Sequence, residues 1–166
     1  MYRALDKRTH RTVALKRTVC CDWDELEEQK KLMGQVVTYS QQHPHICAHY
    51  EQFETTFSNF AGETEYEHYV VMEECEYGSL DDLIRRRDEP MPTFLIKMWI
   101  LQLCDALRFM HAHGLVHRDV KSDNCLLKMR KRKNSQVASM ATTCIQYPTC
   151  CCCGTGCGSL NCSCHM

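Results

Sequence analysis

Five polar side chains that could share one site fall within eight positions: His117, Arg118, Asp119, Lys121 and Asn124. An apolar-faced stretch ending at Gly114 precedes them and the apolar run Cys125-Leu126-Leu127 follows, so the loop that carries them lies between a helix and a short strand. A carboxylate, an ammonium and a carboxamide at this spacing suit chemistry that needs positioning and charge neutralisation; the plainer reading is a surface loop of mixed charge. Ligand-type residues concentrate again at the end of the chain. Cys150-x-x-Cys153 and Cys162-x-x-His165 have the local spacing of a zinc site, although Cys151, Cys152, Cys157 and Cys164 compete with them.

The run His117-Arg118-Asp119-x-Lys121-x-x-Asn124 resembles the catalytic-loop signature of protein kinases. The resemblance implies phosphoryl transfer, in which little covalent chemistry falls to the protein. Asp119 then accepts the proton of the substrate hydroxyl, Asn124 helps hold a magnesium ion and Lys121 reaches the transferring phosphate. Arg118 resembles the arginine that pairs with a phosphorylated activation loop. Lysine at position 121 resembles the serine/threonine kinases, and Ser122-Asp123-Asn124 resembles their Ste-type and NIMA-related groups.

Further matches fall in family order. Val13-Ala14-Leu15-Lys16 resembles the strand whose lysine contacts the α- and β-phosphates, and His43-Pro44-His45-Ile46 the turn after the regulatory helix. Tyr69-Val70-Val71-Met72-Glu73-Glu74-Cys75 resembles the strand and hinge of the nucleotide pocket. There Met72 is the gatekeeper, and the backbones of Glu73 and Cys75 meet adenine. Ala14 and Leu126 match the apolar residues that sandwich the adenine ring, and Gly78-Ser79-Leu80 opens the next helix. The resemblance implies an α+β chain with a partial two-lobed kinase fold, a small antiparallel-sheet lobe plus the start of a helical lobe. It also implies ATP and Mg2+ as cofactors and a protein substrate with Ser/Thr hydroxyls.

The pattern departs in three places. The family's glycine-rich loop belongs just before Tyr2, and Met1 stands where the family has a valine over the adenine; a chain cut off at both ends and a sheet with exposed edges are expected. The usual spacing from Lys16 puts the regulatory-helix glutamate near Gly34 or Gln35, with Glu27 and Glu28 too early, so that glutamate is unassigned. The magnesium-binding aspartate of the D-F-G motif belongs about a dozen residues after Asn124. No aspartate or glutamate follows Asn124, and a soft Cys-rich tail is no substitute for a hard oxygen ligand. Phosphotransfer at or near background is the expectation. The rival is a pseudokinase that docks on a partner kinase or receptor through the stretch Ile96 to Met110.

Several elements must position these residues. Tyr2–Leu5 and Thr12–Lys16 read as short strands around a polar turn, and Asp22 to about Tyr39 as a helix that His43-Pro44 closes. Strands follow near Ala48–Glu54 and His68–Met72, then a short helix over Ser79–Arg87. A longer helix has Thr93 as a candidate N-cap, and Ile96, Ile100, Leu103, Leu107 and Met110 recur along it at three- and four-residue steps. Gly114 is its C-terminal stop.

Composition bounds the rest. The 166 residues carry a net charge of -1, which marks neither a nucleic-acid nor a membrane binder. The charge is uneven, because five of the 20 basic residues lie between Lys128 and Lys133. Cysteine is uneven too: six of the 14 are scattered as far as Cys125 and eight crowd into the remainder. The scattered ones suit buried positions in a reducing compartment. With no secretory h-region and no membrane-spanning run, a soluble intracellular protein, cytoplasmic by default, is expected. Residues 1–127 read as the partial kinase domain, and 128–166 as a basic, then Cys-rich, low-complexity and disordered tail.

Overall fold

Apolar residues alternating through Val13, Leu15, Val70 and Met72 build the middle of a sheet, and the strands around them run longer than the sequence pattern marks. In the computed structural model, which describes residues 1–58, 62, 64–130 and 139–145, β1 spans Tyr2–Asp6 and β2 spans Arg11–Cys20. The turn between them is fastened by the Asp6 carboxylate, which accepts from the Arg8 amide at 2.8 Å and the Thr9 hydroxyl at 2.5 Å. Strands β3 (His49–Ser58) and β4 (Thr64–Glu73) complete a four-stranded antiparallel sheet of order β1-β2-β4-β3. β1 and β3 are thus its edges, and β3 is exposed along most of its length.

Helix α1 (Trp23–Ser40) starts where the Asp22 carboxylate accepts from the Glu25 amide at 2.8 Å, an N-cap that satisfies an otherwise orphaned donor. It buries Leu26, Met33 and Val36, together with Gln29, and packs against β3 and β4. A short helix, α2 (Leu80–Arg85), opens with a reciprocal capping box between Ser79 and Asp82.

Helix α3 (Thr93–Ala112) corrects one expectation: Thr93 is its first helical residue, Pro92 holds the cap position, and no side chain caps it. At the far end Gly114 (φ 73°) donates to the His111 carbonyl, and Leu115 donates to that of Met110 at 2.9 Å. This Schellman arrangement needs a left-handed residue, which glycine supplies without a Cβ penalty.

The apolar stripe of α3 divides. Ala106 and Met110 are buried, with Leu103 and Leu107 packed beside them, against a core made of Met33, Val36, Ile46, Cys47, Val70, Met72 and Leu115. Burying a side chain such as Met72 contributes about 1.5–3 kcal/mol, so this core ties α3 firmly to the sheet. Ile96 and Ile100 stay exposed and, with Leu80, Ile84, Met91 and Trp99, line an apolar groove of about 320 Å³ between α2 and α3.

A 3-10 turn (Ser122–Asn124) leads from the polar loop into β5 (Cys125–Arg130). β5 pairs antiparallel with β6 (Ser139–Ile145), which lies against α3. The sequence pattern gives no strand beyond Leu127, so β6 is a departure; the low-complexity segment otherwise falls largely outside the described residues. Among the described residues, no helix is long and apolar enough to cross a membrane.

Candidate functional site

β1, β2, the end of β4 and the start of β5 enclose a cavity of about 510 Å³. Ala14 on β2 and Met72 on β4 are register partners, which sets them side by side, and Leu126 on β5 lines the same cavity. Glu73 and Cys75 lie along its edge. Five of the six residues assigned to nucleotide binding therefore line one space, together with Met1, Tyr2 and Val13.

Backbone bonds join the cavity wall to its floor. Tyr77 donates to the Leu127 carbonyl at 3.2 Å, Leu127 donates to that of Gly78 at 2.9 Å, and Ser79 bridges to Leu126. Gly78, Ser79, Asp82 and Asp123 also line the cavity, a place the sequence reading did not give them. The signal available for two of them was the Ser79-x-x-Asp82 capping spacing.

Beyond the floor, the catalytic-type loop is drawn onto Asp119. The Asn124 amide donates to both the carbonyl and the Oδ2 of Asp119, each at 2.8 Å. The Lys121 ammonium lies 3.1 Å from the same Oδ2. Burial pushes the Asp119 carboxyl up, but the hydrogen bonds from Lys121 and Asn124 outweigh it and hold the group below the usual carboxylate range. Asp119 is therefore an anion at neutral pH. His117 is buried beneath the loop, and its Nδ1 faces the Asp119 amide at 3.3 Å. Arg118 has φ 67°, the left-handed region that non-glycine residues seldom adopt, which turns the chain sharply between the two. Asp123 is exposed, while Ser122 donates to Asp81 at 3.0 Å and ties the loop to α2.

Lys16 is not among the residues lining the cavity. It pairs in register with Val70, which is in turn opposite Gln52, so the three lie abreast on β2, β4 and β3. Gly34 of α1 stands over this row: a Cβ there would lie 3.6 Å from Gln52 Nε2. No carboxylate is present where the expected spacing put the regulatory glutamate, because Gly34 has no side chain and Gln35 carries an amide. Glu27 instead pairs with Lys30 at 2.9 Å, and Lys30 reaches Glu54 at 3.1 Å. The apolar layer between α1 and the sheet also holds three buried polar side chains, Gln29, His49 and His68. Burial pushes His49 down to about 4, which Lys16 nearby reinforces against a hydrogen bond to the Cys47 carbonyl.

An adenine nucleotide fits the cavity in size and in its apolar lining of Val13, Ala14, Met72 and Leu126. A magnesium ion fits less well. Both amide hydrogens of Asn124 are turned to Asp119, leaving its oxygen for a cation, yet no carboxylate follows it in the chain to share the ion. The candidate zinc spacing, from Cys150 to His165, lies outside the described residues.

A four-stranded antiparallel sheet, a cavity beneath it and a His-Arg-Asp loop beyond the cavity floor define the small lobe of a kinase fold with the beginning of its helical lobe. A family profile described as protein kinase domain matches residues 1–138, and the chain belongs to the protein kinase family. It is 31% identical to cyclin-dependent kinase G1 of Arabidopsis thaliana over 132 residues, 76% of this chain and 20% of that protein. To the serine/threonine-protein kinase PAK mbt of Drosophila melanogaster it is 35% identical over 127 residues, 75% of this chain and 17% of that protein. To the eukaryotic translation initiation factor 2-alpha kinase pek-1 of Caenorhabditis elegans it is 37% identical over 71 residues, 42% of this chain and 7% of that protein. The chain thus spans a fifth or less of the length of these relatives. The family uses ATP and a divalent metal and acts on protein substrates.

Proposed function

We propose that this chain is of serine/threonine kinase type, binds ATP in the 510 Å³ cavity and transfers phosphate at or near background rate. The observation that carries the reading is the convergence of Lys121 and Asn124 on one oxygen of Asp119. Asp119, anionic at neutral pH, is the group that accepts the proton of a Ser/Thr hydroxyl. Lys121 neutralises charge on the phosphoryl group, and Asn124 orients Asp119 and offers its own oxygen to a cation. Ala14 and Leu126 sandwich the adenine, Met72 closes the back of the cavity, and the backbones of Glu73 and Cys75 meet the ring edge. Lys16 serves the phosphates and Arg118 an activation-loop phosphate. The low rate follows from the incomplete magnesium set.

Equilibrium binding of a fluorescent ATP analogue, paired with transfer of labelled γ-phosphate to a generic Ser/Thr substrate, tests both halves. Saturable binding with background transfer is expected. Absence of binding would overturn the assignment of the cavity. Robust transfer that disappears in Asp119→Asn would overturn the low activity and keep the roles.

A second reading rests on the groove between α2 and α3. Its exposed Ile96 and Ile100 suit a pseudokinase that acts by holding a partner protein, and persistent aggregation of the purified chain would count against it.

A further inference from the structure

Away from the catalytic loop, three ligand-type side chains converge where β4 gives way to the hinge. Cys47 Sγ, a carboxylate oxygen of Glu73 and Cys75 Sγ all lie within 4.8 Å of one another. Glu73 is the last residue of β4 and Cys75 follows two residues later, outside the strand, with the ligand atoms of both brought to one place. Cys47 comes from the segment before β3 and is held opposite them. The Glu73 amide donates to the Ala48 carbonyl at 2.8 Å, and Cys47 Sγ lies 3.7 Å from the Glu73 carbonyl. Cys47 is fully buried, and the other two are half-buried.

We propose that Cys47, Glu73 and Cys75 form a binding site for a thiophilic divalent cation of the zinc class. Two thiolates and a carboxylate occupy three positions of a tetrahedron and leave the fourth to water. Zinc bonds of about 2.3 Å to sulfur and about 2.0–2.2 Å to oxygen set such ligand atoms roughly 3.5–3.8 Å apart, so the side chains close in by roughly 1.3 Å at most. The step balances as one cation taken up for two thiol protons released to solvent, with the carboxylate already ionised. Charge balances as well. Two thiolates and one carboxylate against one dication leave a single negative charge, and the Lys128 ammonium, 2.6 Å from Glu73 Oε2, cancels it. A neutral cluster is what a half-buried position tolerates, because an uncompensated charge there is costly to desolvate. The sulfur ligands exclude magnesium, which prefers an all-oxygen shell. The bound ion fastens the entry of β3 to the hinge and, through Lys128, to β5. None of this depends on the chain's being an active kinase.

Cobalt(II) is the probe, since thiolate ligation gives it an intense near-ultraviolet charge-transfer band. The measurement uses the reduced full-length chain beside a full-length version whose eight cysteines beyond Cys125 are serines, which removes the competing tail ligands. That version is expected to take up a single equivalent with a thiolate band. Cys75→Ser should abolish the band and Glu73→Gln shift and weaken it, while Lys128→Met lowers affinity roughly 10–100-fold, as loss of an outer partner does. Circular dichroism confirms that each variant is folded, and Cys75→Ser is preferred to a change at the wholly buried Cys47. A band that survives Cys75→Ser would overturn the site. So would a reduced, folded protein that takes up no cobalt, or one whose two thiols are recovered only as a disulfide.

Discussion

Replacing Gly34 by alanine should stabilise the chain by about 0.5–1 kcal/mol, the difference between these residues in a helix interior. Gly34 lies within α1, and an added Cβ would meet Gln52 Nε2 at 3.6 Å, an ordinary van der Waals separation, so no clash offsets the gain. For a chain of this size the melting temperature should rise by roughly 1–4 °C, which thermal unfolding reads directly. Glutamate at the same position probes the site. Gln52, Val70 and Lys16 lie abreast on three neighbouring strands, which sets the Cα atoms of Gln52 and Lys16 about 10 Å apart. A glutamate and a lysine stem together cover that span, and the resulting half-buried pair is worth roughly 0.2–1 kcal/mol. Its larger effect is to aim Lys16 at the phosphates. ATP should therefore bind more tightly to Gly34→Glu than to Gly34→Gln, which has the same shape without the charge. Equal affinities in the two variants would refute the placement of Gly34 over the Lys16 row. Destabilisation by alanine would refute the packing of α1 on Gln52.

Stability should decline as pH falls from 6.5. His49 is held neutral in the fold and pushed down to about 4, whereas the unfolded chain takes up its proton near 6.5. The stabilisation is complete above 6.5 and is lost towards pH 4, by roughly 3 kcal/mol at most. Urea midpoints at pH 7 and 5 would measure the decline, with His49→Gln expected to flatten it. His68 is lowered in the same direction and adds to the slope. Gln29→Met should raise stability by about 1 kcal/mol in the same urea assay, because Gln29 Oε1 is buried without a hydrogen-bond partner among the described residues. Gly114→Ala should lower it by about 1–2 kcal/mol; a Cβ there meets nothing, so the whole cost is the left-handed backbone, and an unchanged midpoint would contradict the Schellman geometry.

The family was legible because its residues depend on local spacing: the His-Arg-Asp loop, the Gly114 stop and the Met72–Cys75 hinge each occupy one short stretch. Strand and helix types follow from periodicity, but their ends do not. β2 runs four residues beyond Lys16 because Thr18 and Cys20 find register partners in His68 and Tyr66, a match visible only across the sheet. The split in the α3 stripe was likewise hidden, since periodicity marks Ile96 and Met110 alike and only the neighbours decide which is covered. The Cys47–Glu73–Cys75 cluster draws on segments 26 residues apart and has no local signature. Gly34 could be read as a gap in the pattern; that it stands over Gln52 and the Lys16 row required the fold.

The paired bonds of Tyr77, Gly78 and Leu127 have a mechanical meaning. They splice the hinge to the strand that follows the catalytic loop, so cavity floor, hinge strand and loop move as one plate. The spacing between the cavity floor and the hinge is therefore set by main-chain bonds, which side-chain substitutions leave in place.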